Sequence, residues 1–349
     1  MEATSPGSRE LFVRQPPPVA PPPAAWTPPP PPPPATDPVR QPLFHGSGST
    51  LLGIHIVNVL LTLVTLGVYY FWGKTKVRRY VFSETEIGGD RFAYHGTGRE
   101  LLLGFLRAFL VFLLPLIVLS IIQKPLDVDA NIKQAAGFLG SILFFVFIPV
   151  ALVGARRYRL SRTSWRGIRF SFRGRAWRFI LLFFKGSFLT GLTFGLYYPF
   201  FLTERQAFMI SHSYFGSERF QFTGRGRDLF PNYLLALLLT FPTLGLCWVW
   251  FIARKRRFFW NHTSFGAARF RSTVSGGRLL GLYVVSALVL VGTLGLAWSW
   301  VRVRNIRFAF RYLTLEGPVE LERIEQQAQF ASATGEGLAG FLDTGFDLG

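Results

Sequence analysis

The chain has 349 residues, of which 50% are apolar, 16% are aromatic and 16% are charged, with a formal net charge of +19. Its mean hydropathy is +0.30, whereas soluble domains usually carry about 25% charged residues, so the composition excludes an ordinary water-soluble globule and indicates a bilayer. Because the basic residues directly follow apolar segments, as in Lys74–Arg79, we expect lipid headgroups rather than nucleic acid as their partner.

Residues 1–42 form a predicted disordered, proline-rich N-terminal segment. They hold 16 of the 23 prolines of the chain, a composition typical of polyproline II or unfolded segments. A flexible spacer is the simpler interpretation, and a docking site for a proline-recognising partner is the alternative.

Six apolar stretches are long enough to cross a hydrocarbon core, which takes about 20 residues of helix. They cover residues 51–72, 101–122, 135–154, 179–201, 229–252 and 279–300. A core helix of a soluble protein rarely stays apolar on every face over such a length. The predicted fold is therefore an all-α polytopic membrane protein with about six transmembrane helices.

Three sequence markers recur with a common spacing and predict internal repeats of about 50 residues. A Thr-Leu-Gly motif or a near variant ends an apolar stretch, an Arg-Phe pair follows a basic run, and a glycine turn opens the next stretch. The predicted repeats cover residues 43–92, 93–170, 171–220, 221–270 and 271–316, with a 28-residue insertion in the second. A polar, glycine-rich C-terminal tail follows at residues 317–349.

Each Arg-Phe pair lies in a segment of alternating polar and aromatic residues, which predicts a short amphipathic β-arm between the spans. The candidate contacts for anionic lipid are the arginines of these pairs, namely Arg91, Arg169, Arg219 and Arg269. In one interpretation the rings face the acyl boundary while the arginines bind phosphates. In the other, which we prefer, the rings pack on neighbouring helices.

The topology has two solutions. If every stretch crosses once, the strongly basic connections 73–100, 155–178 and 253–278 lie in the cytoplasm by the positive-inside rule. If each stretch folds back at Thr-Leu-Gly, all basic arms lie on one face, but each half covers about 14 residues, or roughly 21 Å. This is shorter than a bilayer core of about 30 Å, so the sequence favours single spans, without fixing their orientation.

Arg107 and Lys185 lie within the apolar stretches, at equivalent positions of two repeats. A cation inside the membrane is a functional candidate, although a long side chain that snorkels to the headgroups is the simpler interpretation. The apolar stretches contain no Asp or Glu to pair with them, which argues against ion-coupled transport.

The sequence lacks the patterns that carry enzyme chemistry. Its five histidines are scattered, its single cysteine, Cys247, excludes a disulfide framework and a Cys-based metal site, and no nucleophile elbow or phosphate loop is present. We therefore expect no catalytic residues, no cofactor and no metal site.

Several motifs resemble those of the YjgN family of bacterial inner-membrane proteins. They are the Thr-Leu-Gly-Val-Tyr-Tyr-Phe-Trp run at 65–72, Arg-Arg-Tyr at 78–80, Gly-Thr-Gly-Arg-Glu at 96–100 and the acidic, glycine-rich ending at 335–343. The resemblance runs from about residue 43 to the end. It implies a multi-pass inner-membrane protein of a family without assigned activity, and it supplies no catalytic residues.

The leading functional hypothesis is a non-enzymatic membrane protein that engages anionic lipid or a membrane partner through its basic and aromatic segments. The alternative is a transporter or channel for a small solute or lipid, since many carriers are built from internal repeats.

Overall fold

The structure is a computed structural model that describes residues 39–122, 129–318 and 324, apart from the side chain of Ile122. The predicted disordered segment, residues 1–42, lies outside the described residues except for its last four. Most of the predicted tail, residues 317–349, also lies outside them.

Pairs of helices alternate with pairs of short strands along the described chain. The helices are α1 (Gly48–Val64), α2 (Tyr70–Ser83), α3 (Gly98–Ala108), α4 (Leu114–Ile122), α5 (Ala130–Ser161), α6 (Ala176–Leu192), α7 (Tyr198–Ser211), α8 (Gly226–Leu238), α9 (Cys247–Asn261), α10 (Gly276–Gly292) and α11 (Trp298–Arg311). The strands are β1 (Pro42–Phe44), β2 (Thr85–Ile87), β3 (Asp90–Tyr94), β4 (Thr163–Trp165), β5 (Ile168–Phe172), β6 (Ser213–Phe215), β7 (Glu218–Phe222), β8 (Thr263–Phe265), β9 (Ala268–Ser272) and β10 (Leu313–Glu316). A π-helical turn, Phe109–Leu113, joins α3 to α4.

The Thr-Leu-Gly motif and its variants reverse the chain between two helices. In the first hairpin, Leu66 and Gly67 have φ values of 50° and 93°, and the Gly67 amide donates to the Thr62 carbonyl at 2.8 Å. This is the Schellman arrangement, which ends a helix. The Thr65 hydroxyl supports the turn by accepting from the Tyr69 amide at 2.9 Å. The same turn recurs at Phe194-Gly195, Leu244-Gly245 and Leu294-Gly295.

The prediction of an all-α protein with about six transmembrane helices is therefore wrong. The apolar stretches 51–72, 179–201, 229–252 and 279–300 each fold back at such a turn into two shorter helices. The hairpin alternative, which the sequence disfavoured on length, describes their geometry. The mean hydropathy over a long window of sequence does not reveal the reversal of the chain, because the turn residues are themselves apolar.

One hairpin is longer than the others. Within the described residues, the helices long and apolar enough to cross a membrane are Gly98–Ile121 and Ala130–Ser161. They cover the predicted stretch 101–122 up to residue 121 and all of the stretch 135–154, and α4 packs against α5. The 28-residue insertion inferred from the repeat spacing lies in this long hairpin.

The strands form a single antiparallel sheet in which the strand order follows the sequence, from β1 to β10. The sheet closes between its two ends, because the Arg40 amide donates to the Leu315 carbonyl at 2.9 Å and the Leu315 amide donates back at 2.8 Å. We call this closed sheet the strand ring. The predicted strands are present, but they pair with one another instead of forming separate arms.

The helices close into a layer in the same order, because α1 packs against α11. Glycine makes this contact possible: a Cβ on Gly48, at the start of α1, would lie 2.4 Å from the indole of Trp300 in α11. Gly98, at the start of α3, meets Trp72 of α2 in the same way. The ends of the described chain thus meet in both layers, and β1 is needed to complete the ring.

Candidate functional site

The reversal turns expose large apolar side chains. Leu66, Phe194, Leu244 and Leu294 are 94%, 96%, 96% and 93% exposed. The last turns of the helices that lead to them are also exposed, as at Val64 and Val291. Contiguous exposed apolar surface of this kind marks an interaction site for membrane or protein. We call these regions the hairpin ends.

The exposed residue of each turn also has an unfavourable backbone. Leu66, Phe194, Leu244 and Leu294 have φ values between 48° and 50°, in the left-handed region where a residue other than glycine is strained by about 1 kcal/mol. Glycine is the usual residue at this position of a Schellman turn. These side chains thus combine a strained backbone with almost complete exposure.

Aromatic rings and cations follow each hairpin end. In the first hairpin, Tyr69 and Trp72 stack with ring centroids 6.5 Å apart. The Lys74 ammonium lies 5.7 Å from the Tyr70 ring centroid, and the Lys76 ammonium lies 5.4 Å from that of Tyr69. Aromatic rings beside cations are typical of the headgroup region of a bilayer.

An exposed cation occurs at one matched site in every described hairpin. The predicted candidates Arg107 and Lys185 occupy this site on the helix that leads to the end. In the remaining hairpins the cation is on the helix that leaves it, at Lys76, Arg254 and Arg304. In the third hairpin these two helix positions face each other, since Lys185 Nζ lies 3.7 Å from Glu204 Oε1, and Glu204 corresponds in the repeat register to Lys76. We call Lys76, Arg107, Lys185, Arg254 and Arg304 the cation belt.

The ion pair corrects one expectation. No carboxylate was expected beside Lys185, because the apolar stretches contain no Asp or Glu and the stretch 179–201 ends before Glu204, but the hairpin folds Glu204 of α7 back onto α6. Sequence reasoning also missed that Lys76, Arg254 and Arg304 occupy, in their own hairpins, the site that Arg107 and Lys185 occupy in theirs. The match becomes visible only when the two helices of each hairpin are aligned side by side, because the cations lie on different helices in different hairpins.

The strand ring separates aromatic from basic side chains. Phe92, Phe170, Phe220 and Phe270 stack in succession with centroids 6.2, 6.4 and 6.5 Å apart. Trp165, Phe215 and Phe265 complete the same cluster. The predicted contacts Arg91, Arg169, Arg219 and Arg269 alternate with these rings along the strands and are exposed. The rings therefore pack against one another, and, as the preferred interpretation predicted, Phe92 and Phe270 also contact helices, at Phe82 of α2 and Trp260 of α9.

A polar network fixes the long hairpin at its junction with the ring. The Tyr158 hydroxyl of α5 donates to Glu100 Oε2 at 2.8 Å, and Arg162 Nη2 lies 2.7 Å from Glu100 Oε1. Glu100 also forms a capping box with Thr97 at the start of α3. Nearby, His95 Nε2 lies 2.7 Å from Ser164 Oγ. Burial, and then the charges of the neighbouring arginines, hold the pKa of His95 below its usual value of 6.5.

The described residues contain no group of three or more His, Cys, Asp or Glu that could hold a metal ion. The Cys247 thiol donates to the Ala236 carbonyl at 3.1 Å within the fourth hairpin. The absence of catalytic residues and cofactors remains a prediction.

Together these features define a membrane protein in which apolar helical hairpins stand on a ring of strands that closes between Arg40 and Leu315. A family model described as a bacterial protein of unknown function (DUF898) matches residues 41–248 and 231–341. The chain belongs to this family.

Named relatives agree with this assignment. The inner membrane protein YjgN of Escherichia coli (strain K12) is 36% identical over 135 residues, which are 39% of this chain and 31% of that protein. The inner membrane protein YjgN of Salmonella typhimurium is 33% identical over 138 residues, 39% of this chain and 32% of that protein. The matched part thus spans about a third of these relatives. The resemblance to the YjgN family is confirmed, and the chain is a protein of the bacterial inner membrane. No solved structure matches it.

Proposed function

We propose that this protein is a non-enzymatic, multi-pass membrane protein that inserts its hairpin ends into one leaflet and binds anionic lipid headgroups with the cation belt. The observation that carries the proposal is the position of the belt directly below the exposed apolar ends. Lipid tails cover the ends, and phosphates meet the belt.

The depth of the hairpin ends supports insertion into a single leaflet. Lys76 is six residues into α2, and Lys185 is seven residues before the end of α6. At 1.5 Å per residue, the belt lies about 10 Å below the reversal turns. Interfacial helices bury their apolar faces by about 5–10 Å, and one leaflet contributes about 15 Å of a core of about 30 Å.

The long hairpin supplies the spanning element in this proposal. Residues 108–122 continue for roughly 22 Å above Arg107, and α5 runs for about 35 Å from Ala130 to Gly154, the residue opposite the belt site. These lengths suit a crossing, whereas the shorter hairpins suit insertion from one side.

The arginines of the strand ring are farther from the hairpin ends. The ring follows α2 directly at Thr85, and α2 is 14 residues long, so the strands begin about 20 Å from the turn. Arg91 and its counterparts therefore stay predicted contacts for anions, and the cation belt is the first place to expect lipid phosphate.

Two sets of variants of the full chain test the proposal. In the belt set, Lys76, Arg107, Lys185, Arg254 and Arg304 are replaced by Gln, and in the ring set Arg91, Arg169, Arg219 and Arg269 are replaced by Gln. Each protein is purified in mild detergent with a mixture of phosphatidylglycerol and phosphatidylcholine, and retained lipid is measured by mass spectrometry.

The belt set is expected to retain about fivefold less phosphatidylglycerol, because each cation near a membrane surface contributes about 1 kcal/mol to anion binding at its own site. The ring set is the matched control and is expected to retain the wild-type amount. Loss confined to the ring set assigns lipid binding to the strand arginines, and wild-type retention in both sets refutes headgroup binding. Altered solute flux in belt variants would support the transport alternative instead.

A further inference from the structure

Neighbouring hairpins meet through the helices that run from the hairpin ends back to the strand ring. We call these helices, α2, α5, α7, α9 and α11, the returning helices. Val77 of α2 shares a buried apolar cluster with Ile306 of α11. Clusters of the same kind join α5 to α7 and α9 to α11. At these three seams between hairpins, the side chains in contact are apolar.

Val77 marks a position of the repeat that faces such a seam. It lies 14 residues before the arginine of its Arg-Phe pair and is 5% exposed. The second hairpin has Ala155 at the matching position, where it is completely buried. In the third and fourth hairpins the matching residues are Arg205 of α7 and Lys255 of α9. Since Val77 faces the preceding hairpin of the closed helix layer, the register places Lys255 at the seam between α7 and α9.

The basic run of α9 divides into exposed and half-buried cations. Arg254 and Arg257 are exposed, whereas Lys255 and Arg256 between them are half-buried. Arg205 of α7 is half-buried as well. Because the three half-buried cations keep part of their surface accessible, an anion can reach them without a change of fold.

The three half-buried cations act on one another. Burial, and then the charges of Arg205 and Arg256, lower the pKa of Lys255 from its usual value of 10.5. Like charges lower the pKa of an ammonium group when they are close to it, so α7 and α9 bring these cations together at their seam. Within the described residues, none of the three forms an ion pair with a carboxylate. A bound anion would offset their repulsion.

We propose that Arg205, Lys255 and Arg256 form a binding site for a phosphate group at the seam between the third and fourth hairpins. Three cationic donors on two helices suit a compact anion with several acceptor oxygens, and partial burial strengthens charge-assisted hydrogen bonds. The phosphate is either free or part of a lipid headgroup. The site is separate from the cation belt, whose members are exposed, and the inference does not rest on lipid binding by the belt.

Binding of inorganic phosphate to the full chain tests the site. The protein is purified in a non-ionic detergent, and phosphate is titrated by calorimetry against chloride of the same ionic strength. Arg205→Gln, Lys255→Gln and Arg256→Gln are each expected to weaken binding by about tenfold, because each removes a charged hydrogen-bond donor. Arg257→Gln, an exposed neighbour on the same helix, is the matched control and is expected to keep the wild-type affinity. Wild-type affinity in the three variants, or equal weakening by the control, overturns the proposal.

A lipid measurement distinguishes the two sources of phosphate. The variant with all three changes and the Arg257→Gln control are purified with a mixture of phosphatidylglycerol and phosphatidylcholine, and retained lipid is measured by mass spectrometry. Loss of phosphatidylglycerol from the triple variant alone, without phosphate binding by the wild type, assigns a headgroup to the site. Unchanged lipid together with no phosphate binding overturns the proposal. Because the triple variant keeps every belt cation, this outcome is distinct from a failure of the belt.

Thermal unfolding of Lys255→Met provides a test in a variant that suits a buried position. Without phosphate, this change is expected to raise the unfolding midpoint, since it removes a charge that burial and two neighbouring arginines disfavour. Adding phosphate is expected to raise the midpoint of the wild type more than that of the variant, because a ligand stabilises the folded state in which its site is complete. An equal rise in both proteins overturns the proposal.

Discussion

Replacing the exposed residues of the reversal turns by glycine distinguishes hairpin ends that lie in lipid from hairpin ends that lie in water. The change is Leu66→Gly, Phe194→Gly, Leu244→Gly and Leu294→Gly in one chain. All four residues have left-handed backbones and exposed side chains. Glycine keeps the turn and relieves its strain, while removing the apolar group.

The two effects have opposite signs and different sizes. Relief of a left-handed backbone contributes about 1 kcal/mol per site. Loss of a large apolar side chain that is buried in lipid costs about 1.5–3 kcal/mol per site. If the ends lie in lipid, the four changes together destabilise the inserted protein by roughly 2–8 kcal/mol. If they lie in water, the same changes stabilise it by about 4 kcal/mol.

The assay is thermal unfolding in nanodiscs, together with quenching of tryptophan by brominated acyl chains. We expect a lower midpoint and weaker quenching, since Trp248, Trp250 and Trp298 lie close to the turns. Arg166→Gly is the matched control, because Arg166 has the same φ of 50° in a strand turn, and it is expected to be neutral or stabilising. A higher midpoint with unchanged quenching in the four-site variant would place the ends in water and refute the reasoning.

Further predictions concern packing, the junction, pH and the belt. Gly186→Val is expected to destabilise the protein by about 3 kcal/mol, since a Cβ there would lie 2.0 Å from the Phe201 ring, while Gly191→Val, with open space, changes thermal stability far less. Tyr158→Phe is expected to cost about 1–2 kcal/mol in thermal unfolding, because it removes the donor to Glu100. The folded protein holds the pKa of His95 below 6.5, so the unfolded chain binds more protons and stability falls as the pH drops below about 6.5; His95→Gln should flatten that dependence, and an unchanged slope would contradict it. In the first hairpin, Lys76→Val should lower phosphatidylglycerol retention and the double change Lys76→Val, Val57→Lys should restore it, whereas failure of the double change to restore retention argues against a shared site.

Local features of this fold were predictable from the sequence. Alternation around the Arg-Phe pairs predicts strands, because successive residues of a strand face opposite sides. The repeated glycines at 67, 195, 245 and 295 lie in the reversal turns, inside the predicted spans rather than at their ends. Membrane residence follows from composition.

The arrangement of these features was not predictable, for two physical reasons. The reversal turns place Leu66 and its counterparts in a left-handed backbone, and an apolar residue gives no sign of that conformation in a hydropathy pattern. Ring closure depends on a pairing between Arg40 and Leu315, which are remote in sequence. Neither residue belongs to an Arg-Phe pair. Lys185 and Glu204 meet only after the hairpin forms, so their ion pair depends on the turn.

The distribution of the belt cations argues that location in the folded hairpin, rather than position in the sequence, is what matters. In the repeat register, the first hairpin has the cation Lys76 and, at the matched position of the other helix, Val57, whereas the second has Arg107 and Gly154. A contact within the protein would tie the charge to one partner helix. A headgroup plane accepts it from either helix, because a phosphate senses only the depth and exposure of the cation. The exchange between helices is therefore what the proposed headgroup binding predicts, although Lys185 also pairs with Glu204 and Lys76 also lies over the Tyr69 ring.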